Sequence, residues 1–208
     1  MAENIFMMCK ALNRQAFSNL PPGFTVRTLQ REELSAWKAM PFDDAETAQA
    51  YAGFMDDFFR ATYAAQEETF FANTLVVCDS HDQMVATCLL WKAYGMFTTV
   101  HWFKVRKAYE NRGIGRALLS LLFKEVTNAD MPIYLHTQPE SFRAIKLYAD
   151  FGFALLTDAR IGQRANHIEQ CLPFLQEMMP KQAYDQLRFA KAPAAFMTGM
   201  AAQLDDQF

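Results

Sequence analysis

Two glycines set between a strand pattern and a helix pattern, with arginines on both sides, are the residues of this chain best placed to do chemistry. The stretch is Val105-Arg106-Lys107-Ala108-Tyr109-Glu110-Asn111-Arg112-Gly113-Ile114-Gly115-Arg116-Ala117-Leu118-Leu119. An apolar strand ends near Val105, a short polar turn holds Gly113 and Gly115, and an apolar-periodic helix follows at once. Such a turn exposes backbone N–H groups at a helix start and leaves no side chain at the glycines to block a close approach, which suits a phosphate. Arg112 and Arg116 point the same way. A cation in the first turn opposes the helix dipole at roughly 0.3–1 kcal/mol each, and a bound anion removes the conflict. The plainer reading is a strand-to-helix turn with solvated arginines. A P-loop would need Lys after its last glycine, and a dinucleotide fingerprint would need a third glycine where Leu118 stands, behind a parallel strand. Neither is present.

The strand leading into this turn carries a second set of candidates. Regular alternation puts Thr99, His101, Phe103 and Val105 on one face. His101, with the ordinary imidazole pKa near 6.5, is a candidate general base. Thr99 could hold a water in its place, and His136 ends the next strand. Each of these also reads as ordinary core. Upstream, Asp43 to Glu68 holds seven acids against Arg60 alone. Beside Tyr51, Phe54, Phe58 and Tyr63 they suit a cationic amine, or form a solvated polar face. Trp91, Tyr94 and Trp102 add aromatic surface.

The elements that must hold these residues follow from the hydrophobic period. Ile5 to Leu20 predicts a helix in an N-terminal segment 1–23, stopped by Pro21-Pro22-Gly23. Phe24–Arg27 predicts a strand, a helix from Thr28 ends at Pro41, and 43–66 predicts a further helix. Thr74–Cys78 and Met84–Trp91 predict an antiparallel hairpin, and Phe97–Val105 a third strand beyond a Tyr94-Gly95 turn. A helix to about Val126, a strand at Ile133–His136, a capping box at Thr137-Gln138-Pro139-Glu140, a helix ending at Gly152 and a strand at Phe153–Leu156 complete the readable part. Beyond it, Cys171–Met179 and Tyr184–Phe189 suggest short helices.

The chain has 208 residues, 51% hydrophobic and 21% charged, with 19 Phe and 12 Met. A chain of this length buries roughly 70% of its unfolded surface and folds without staples. A net charge of −3 argues against a broad nucleic-acid surface. No apolar run approaches the roughly 20 residues of a membrane span, and Met1–Ile5 lacks a signal-peptide layout. Cys9, Cys78, Cys88 and Cys171 are scattered. They read as reduced thiols of a cytoplasmic protein, with no metal site.

Glu110-Asn111-Arg112-Gly113-Ile114-Gly115 resembles motif A of the GNAT superfamily of N-acetyltransferases, Gln/Arg-x-x-Gly-x-Gly/Ala, with Glu110 at the first position. Ser141-Phe142-Arg143-Ala144-Ile145-Lys146-Leu147-Tyr148-Ala149-Asp150-Phe151-Gly152-Phe153 resembles motif B, with Ser141 in place of Asn. The resemblance covers residues 24–157 and leaves 158–208 as a C-terminal extension that docks on the core or makes a homodimer contact. It implies an α+β fold: a mixed, mostly antiparallel central sheet flanked by helices, with an N-terminal helix and a C-terminal helical extension. It implies acetyl-CoA as cosubstrate, with pantetheine amides on the backbone of Phe103, Lys104 and Val105. The pyrophosphate would rest on Arg112, Gly113, Ile114, Gly115 and Arg116, with further contacts from Ser141 and Lys146. Acetyl would pass directly to a primary amine of a small molecule or peptide, with Tyr148 as the acid for the leaving thiolate and His101 as base. The alternative is a non-catalytic acyl-CoA-binding or ligand-sensing module of the same fold; an interaction protein assembling through its tail is a third reading.

Overall fold

Ile5-Phe6-Met7-Met8-Cys9 is a run of five apolar side chains, and it forms a strand, not the expected helix. All five residues are buried, as in a strand covered on both faces, and periodicity cannot separate such a run from a buried helix. The computed structural model describes residues 3–203 and 207. In chain order the strands are β1 Ile5–Cys9, β2 Thr25–Thr28, β3 Thr74–Cys78, β4 Met84–Ala93, β5 Phe97–Val105, β6 Ile133–Thr137, β7 Ala154–Leu156, β8 Arg160–Ile161, β9 Arg164–Ala165 and β10 Phe189–Ala190. The α-helices are α1 Leu34–Ala39, α2 Ala45–Ala50, α3 Ala52–Thr62, α4 Glu67–Asn73, α5 Ile114–Leu122, α6 Phe142–Asp150, α7 Ile168–Met178, α8 Lys181–Asp185 and α9 Ala194–Ala201. The expected class holds: an α+β chain whose strands are mixed and mostly antiparallel.

The chain divides into two units. The first comprises Met1–Ala16, Lys92–Thr99 and Thr127–Phe208. Its strands run in the order β10-β7-β1-β6-β5. β1 is antiparallel to β6 (Ile5↔Thr137) and to β7 (Met7↔Leu155). β5 joins β6 in parallel at Thr98↔Ile133 and Thr99↔Tyr134. β10, whose Phe189 closes a stretch expected to be helical from Tyr184, lies parallel to β7, while Tyr184 and Asp185 end α8. The C-terminal helix α9 docks through Phe196, which stacks on Tyr134 at 3.8 Å between centroids, with Phe97 edge-on at 4.9 Å. Phe6, Met8, Leu156, Ile161 and Met200 close this core. The expected capping box at Thr137 is not made. Thr137 is the last residue of β6, and the helical turn that follows is capped at Gln138 with no side-chain bond.

The second unit comprises Phe17–Trp91 and Val100–Val126. Its strands run in the order β5-β4-β3-β2, with β2/β3 and β3/β4 antiparallel. The single helix expected over 43–66 is interrupted at Tyr51 (φ −98°, ψ 4°), between α2 and α3. Asp44 caps α2 by accepting from the Thr47 amide at 2.8 Å. α5 buries Ile114, Ala117, Leu118, Leu119, Ser120 and Leu122 and stops at Leu122, a turn short of the expected end.

Candidate active site

The glycine turn lies in the second unit, anchored from both ends. At the end of β5 the Arg106 amide donates to the Val85 carbonyl at 2.8 Å, and its Nε donates to the Met84 carbonyl at 2.9 Å. A short helical turn, Lys107–Tyr109, follows. The Tyr109 hydroxyl donates to Asp79 Oδ2 at 2.7 Å, which holds the Asp79 carboxyl below the usual range and raises the phenol. Arg112 lies over the Tyr109 ring at 5.0 Å and donates to the Ala108 carbonyl at 3.0 Å. Asn111 (φ +61°) and Gly113 (φ +83°) take the left-handed conformation that swings the chain into α5. On the other side, Ser120 Oγ accepts from the Ser18 amide at 2.9 Å and donates to the Arg116 carbonyl at 2.7 Å.

This geometry leaves α5 starting on Gly113 with no side-chain cap and no acid in its first turn. The first amide to find an intrahelical carbonyl is that of Ala117, on Gly113 at 3.1 Å. The amides of Ile114, Gly115 and Arg116 precede it, where a helix has no backbone acceptors of its own. Uncapped donors, an absent acid and Arg116 on the same turn make a place for an anion, so the residues fit the diphosphate of a coenzyme.

β5 departs from a regular strand at Trp102, whose φ is +52°. The alternation expected to align His101 with Phe103 and Val105 is therefore broken, and Phe103, Lys104 and Val105 are all half-buried. Lys104 Nζ pairs with Asp43 at 2.9 Å. His101 is 8% exposed, and burial pushes its pKa down to about 3. An imidazole near 6.5, the premise on which it was a candidate base, is not what the fold provides. Its Nδ1 lies 2.6 Å from the Tyr63 hydroxyl, which also receives the Trp102 indole N–H at 3.1 Å. Tyr63, expected to face an acceptor, is wholly buried, and desolvation raises its pKa well above 10. Nothing in the residue pattern marks Trp102 for positive φ. A Gly or Asn there would have been a signal.

The acids of 43–68 are mostly engaged within the same unit. Asp56 meets Lys38 at 2.8 Å, Asp57 meets Arg60 at 3.0 Å, and Glu67 and Glu68 both reach Arg31. The aromatic side chains remain more open: Tyr51 and Phe54 are half exposed, Tyr51 stacks on Phe42 at 5.2 Å, and Phe54 leads through Phe58 to Trp102.

Tyr148, Ser141 and Lys146 belong to the first unit. Tyr148 is buried on α6 with Ile145, its ring tilted against Phe153 at 5.7 Å. Ser141 is the N-cap of α6 without a side-chain cap bond, and Lys146 pairs with Asp150 at 2.8 Å. α6 ends before Gly152 (φ +108°), where a Cβ would stand 2.6 Å from the Ala11 carbonyl oxygen. Thr99 is fully buried in the sheet. His136 is held by Asn4 Oδ1 on Nε2 and by Arg164 on Nδ1, both at 2.9 Å. Among the described residues no helix is long and apolar enough to cross a membrane, and all four cysteines are free and buried.

No curated protein matches the chain. Solved structures similar to it include a tandem GNAT protein from the clavulanic acid biosynthesis pathway, determined without AcCoA (11% identity, 74% of this chain, 50% of that one, TM-score 0.51). Others are a GNAT-family acetyltransferase of Staphylococcus aureus Mu50 (16% identity, 61% and 81%, TM-score 0.44) and a GCN5-related N-acetyltransferase of Sphaerobacter thermophilus (19% identity, 65% and 42%, TM-score 0.45). The chain spans half the length of the first and less than half of the last. At these identities the likeness to the first is one of fold. The model of the Acetyltransferase (GNAT) family matches residues 32–153, more than half of the sequence and inclusive of both motifs. The chain therefore belongs to the acetyltransferase (GNAT) family.

Proposed function

We propose that the protein transfers the acetyl group of acetyl-CoA to a primary amine of a small molecule or peptide. The observation that carries this reading is the start of α5: left-handed Gly113, three leading amides and no acid within the first turn. Family membership over residues 32–153 supports it.

In this reading the amides of Ile114 to Arg116 receive the diphosphate, and the backbone of Phe103, Lys104 and Val105 receives the pantetheine arm. A backbone N–H near Val105 stabilises the developing oxyanion. A neutral amine attacks the thioester carbonyl, the C–N bond forms and the C–S bond breaks. Water takes the proton that an ammonium acceptor must lose before it attacks; on the strength of motif B, Tyr148 gives its hydroxyl proton to the departing thiolate, and the proton shed by the newly acylated nitrogen restores the phenol. His101, held near pKa 3, is too weak a base for an alkylammonium, and we assign it no proton transfer. The half-exposed aromatic residues Tyr51 and Phe54, in a segment 43–68 with seven acids and one base, support an acceptor that is cationic before it reacts.

The test is thiol release from acetyl-CoA against a panel of primary amines, including arylalkylamines, polyamines, amino acids and lysine peptides. Amine-dependent release with a mass gain of one acetyl on the amine is expected. Coenzyme binding without release on any amine contradicts transfer and leaves a binding module.

A further inference from the structure

In a regular strand successive side chains point to opposite faces, so one atom cannot bond to the side chains of two consecutive residues. The Tyr63 hydroxyl does so with His101 and Trp102. The left-handed turn at Trp102 (φ +52°) brings the two side chains to one side. A bulky residue in this conformation is strained and persists only where its surroundings hold it. Here the holders are identifiable. The indole N–H donates to Tyr63 Oη at 3.1 Å, and the ring packs edge-on against Phe58 at 5.3 Å and Trp37 at 6.1 Å. The same oxygen is hydrogen-bonded to His101 Nδ1, 2.6 Å away, with the imidazole tautomer setting which of the two donates. The result is a hydrogen-bonded link from Trp102 through Tyr63 to His101 that closes on the backbone on both sides of one peptide.

We propose that Tyr63 is a positioning residue: by clamping Trp102 and His101 it fixes the bend in β5 and so the direction of the peptide groups of Phe103, Lys104 and Val105 that receive the coenzyme. The proposal rests on the acetyl-CoA reading above. Tyr63 touches no reacting atom. Its hydroxyl, buried in an aromatic cluster of Trp37, Phe59, Phe70 and Trp91, acts through the bend alone.

Tyr63→Phe keeps the ring and removes the clamp. Calorimetric titration with acetyl-CoA should show Kd raised about tenfold at unchanged stoichiometry, the size expected when two buried polar partners lose their bond. The Trp102 indole ¹⁵N–¹H resonance should move at the same time. Trp102→Phe should weaken the coenzyme to a similar extent, and the double variant should be no worse than either single one, since either change opens the same two-ended clamp. Should Tyr63→Phe fail to fold, Trp102→Phe carries the test with the same tenfold expectation. A structural role alone lowers stoichiometry or thermal midpoint and leaves Kd in place, and that result overturns the proposal. So do an unmoved indole resonance and single effects that multiply in the double variant. Absence of heat with the unmodified protein sinks the acetyl-CoA reading and removes the clamp's assigned task. Equal heats for the unmodified protein and the variants sink the clamp alone.

Discussion

His101 makes the acid stability of this protein a measure of its interior. The folded environment drives its pKa from the ordinary 6.5 to about 3, by burial. The folded state thus favours the neutral ring, while the unfolded chain binds a proton below pH 6.5. The contribution of His101 is complete above 6.5 and is lost as pH falls from there toward 3. Between pH 8 and pH 5 this one residue lowers the unfolding free energy by about 2 kcal/mol. With a urea slope of about 2 kcal/mol per molar, the midpoint falls by about 1 M. His101→Gln supplies an uncharged hydrogen-bonding partner for the Tyr63 hydroxyl and removes the titration. Urea midpoints of the two proteins at pH 8, 6.5 and 5, read by near-ultraviolet circular dichroism, isolate the effect, because the carboxylates cancel in the comparison. The difference between the two proteins should shrink or reverse by about 1 M as pH is lowered. Midpoints that fall in parallel would show that His101 titrates normally, and the account of it as a buried neutral ring would be wrong. The same buried ring predicts that His101→Gln leaves any limb of the pH–rate profile near 6.5 in place.

The other expectations are local. Gly113→Val puts a β-branched residue at φ +83° beside the leading amides of α5; coenzyme affinity should fall at least tenfold by titration, and full affinity would show that the turn does not meet the diphosphate. Gly152→Ala places a Cβ 2.6 Å from the Ala11 carbonyl at φ +108°, which should destabilise the protein by more than about 2 kcal/mol in chemical denaturation; a loss under 0.5 kcal/mol would contradict that packing. Tyr148→Phe should lower turnover while leaving acetyl-CoA affinity nearly unchanged, and turnover equal to the parent would make Tyr148 a packing residue.

Strands β3 and β5, the start of α5 and the end of α6 are readable from composition because their boundaries are written in local chemistry: a polar Asp79–Gln83 turn, a Gly-x-Gly, a left-handed Gly152. β1 is not, because a short apolar run buried on both faces has no period to read. β10 escapes because a two-residue strand is defined by its partner β7, far away in sequence. At the site, the turn from Arg106 to Arg116 is legible, whereas the bend at Trp102 and the burial of Tyr63 and His101 arise from tertiary packing. Strict alternation fails at that one residue, and with it the expectation that His101 is an ordinary imidazole. The acids of 43–68 show the same limit: their charge is visible in the sequence, but their pairing with Lys38, Arg31 and Lys104 is a property of the folded unit.

The central claim is that bare amides where α5 begins hold a coenzyme's diphosphate. Titration of the intact protein with coenzyme A, acetyl-CoA and dephosphorylated pantetheine tests it most directly. The account predicts saturable heat with the first two and binding at least a hundredfold weaker with the third. No heat with either nucleotide form, or equal affinity for pantetheine, would contradict it.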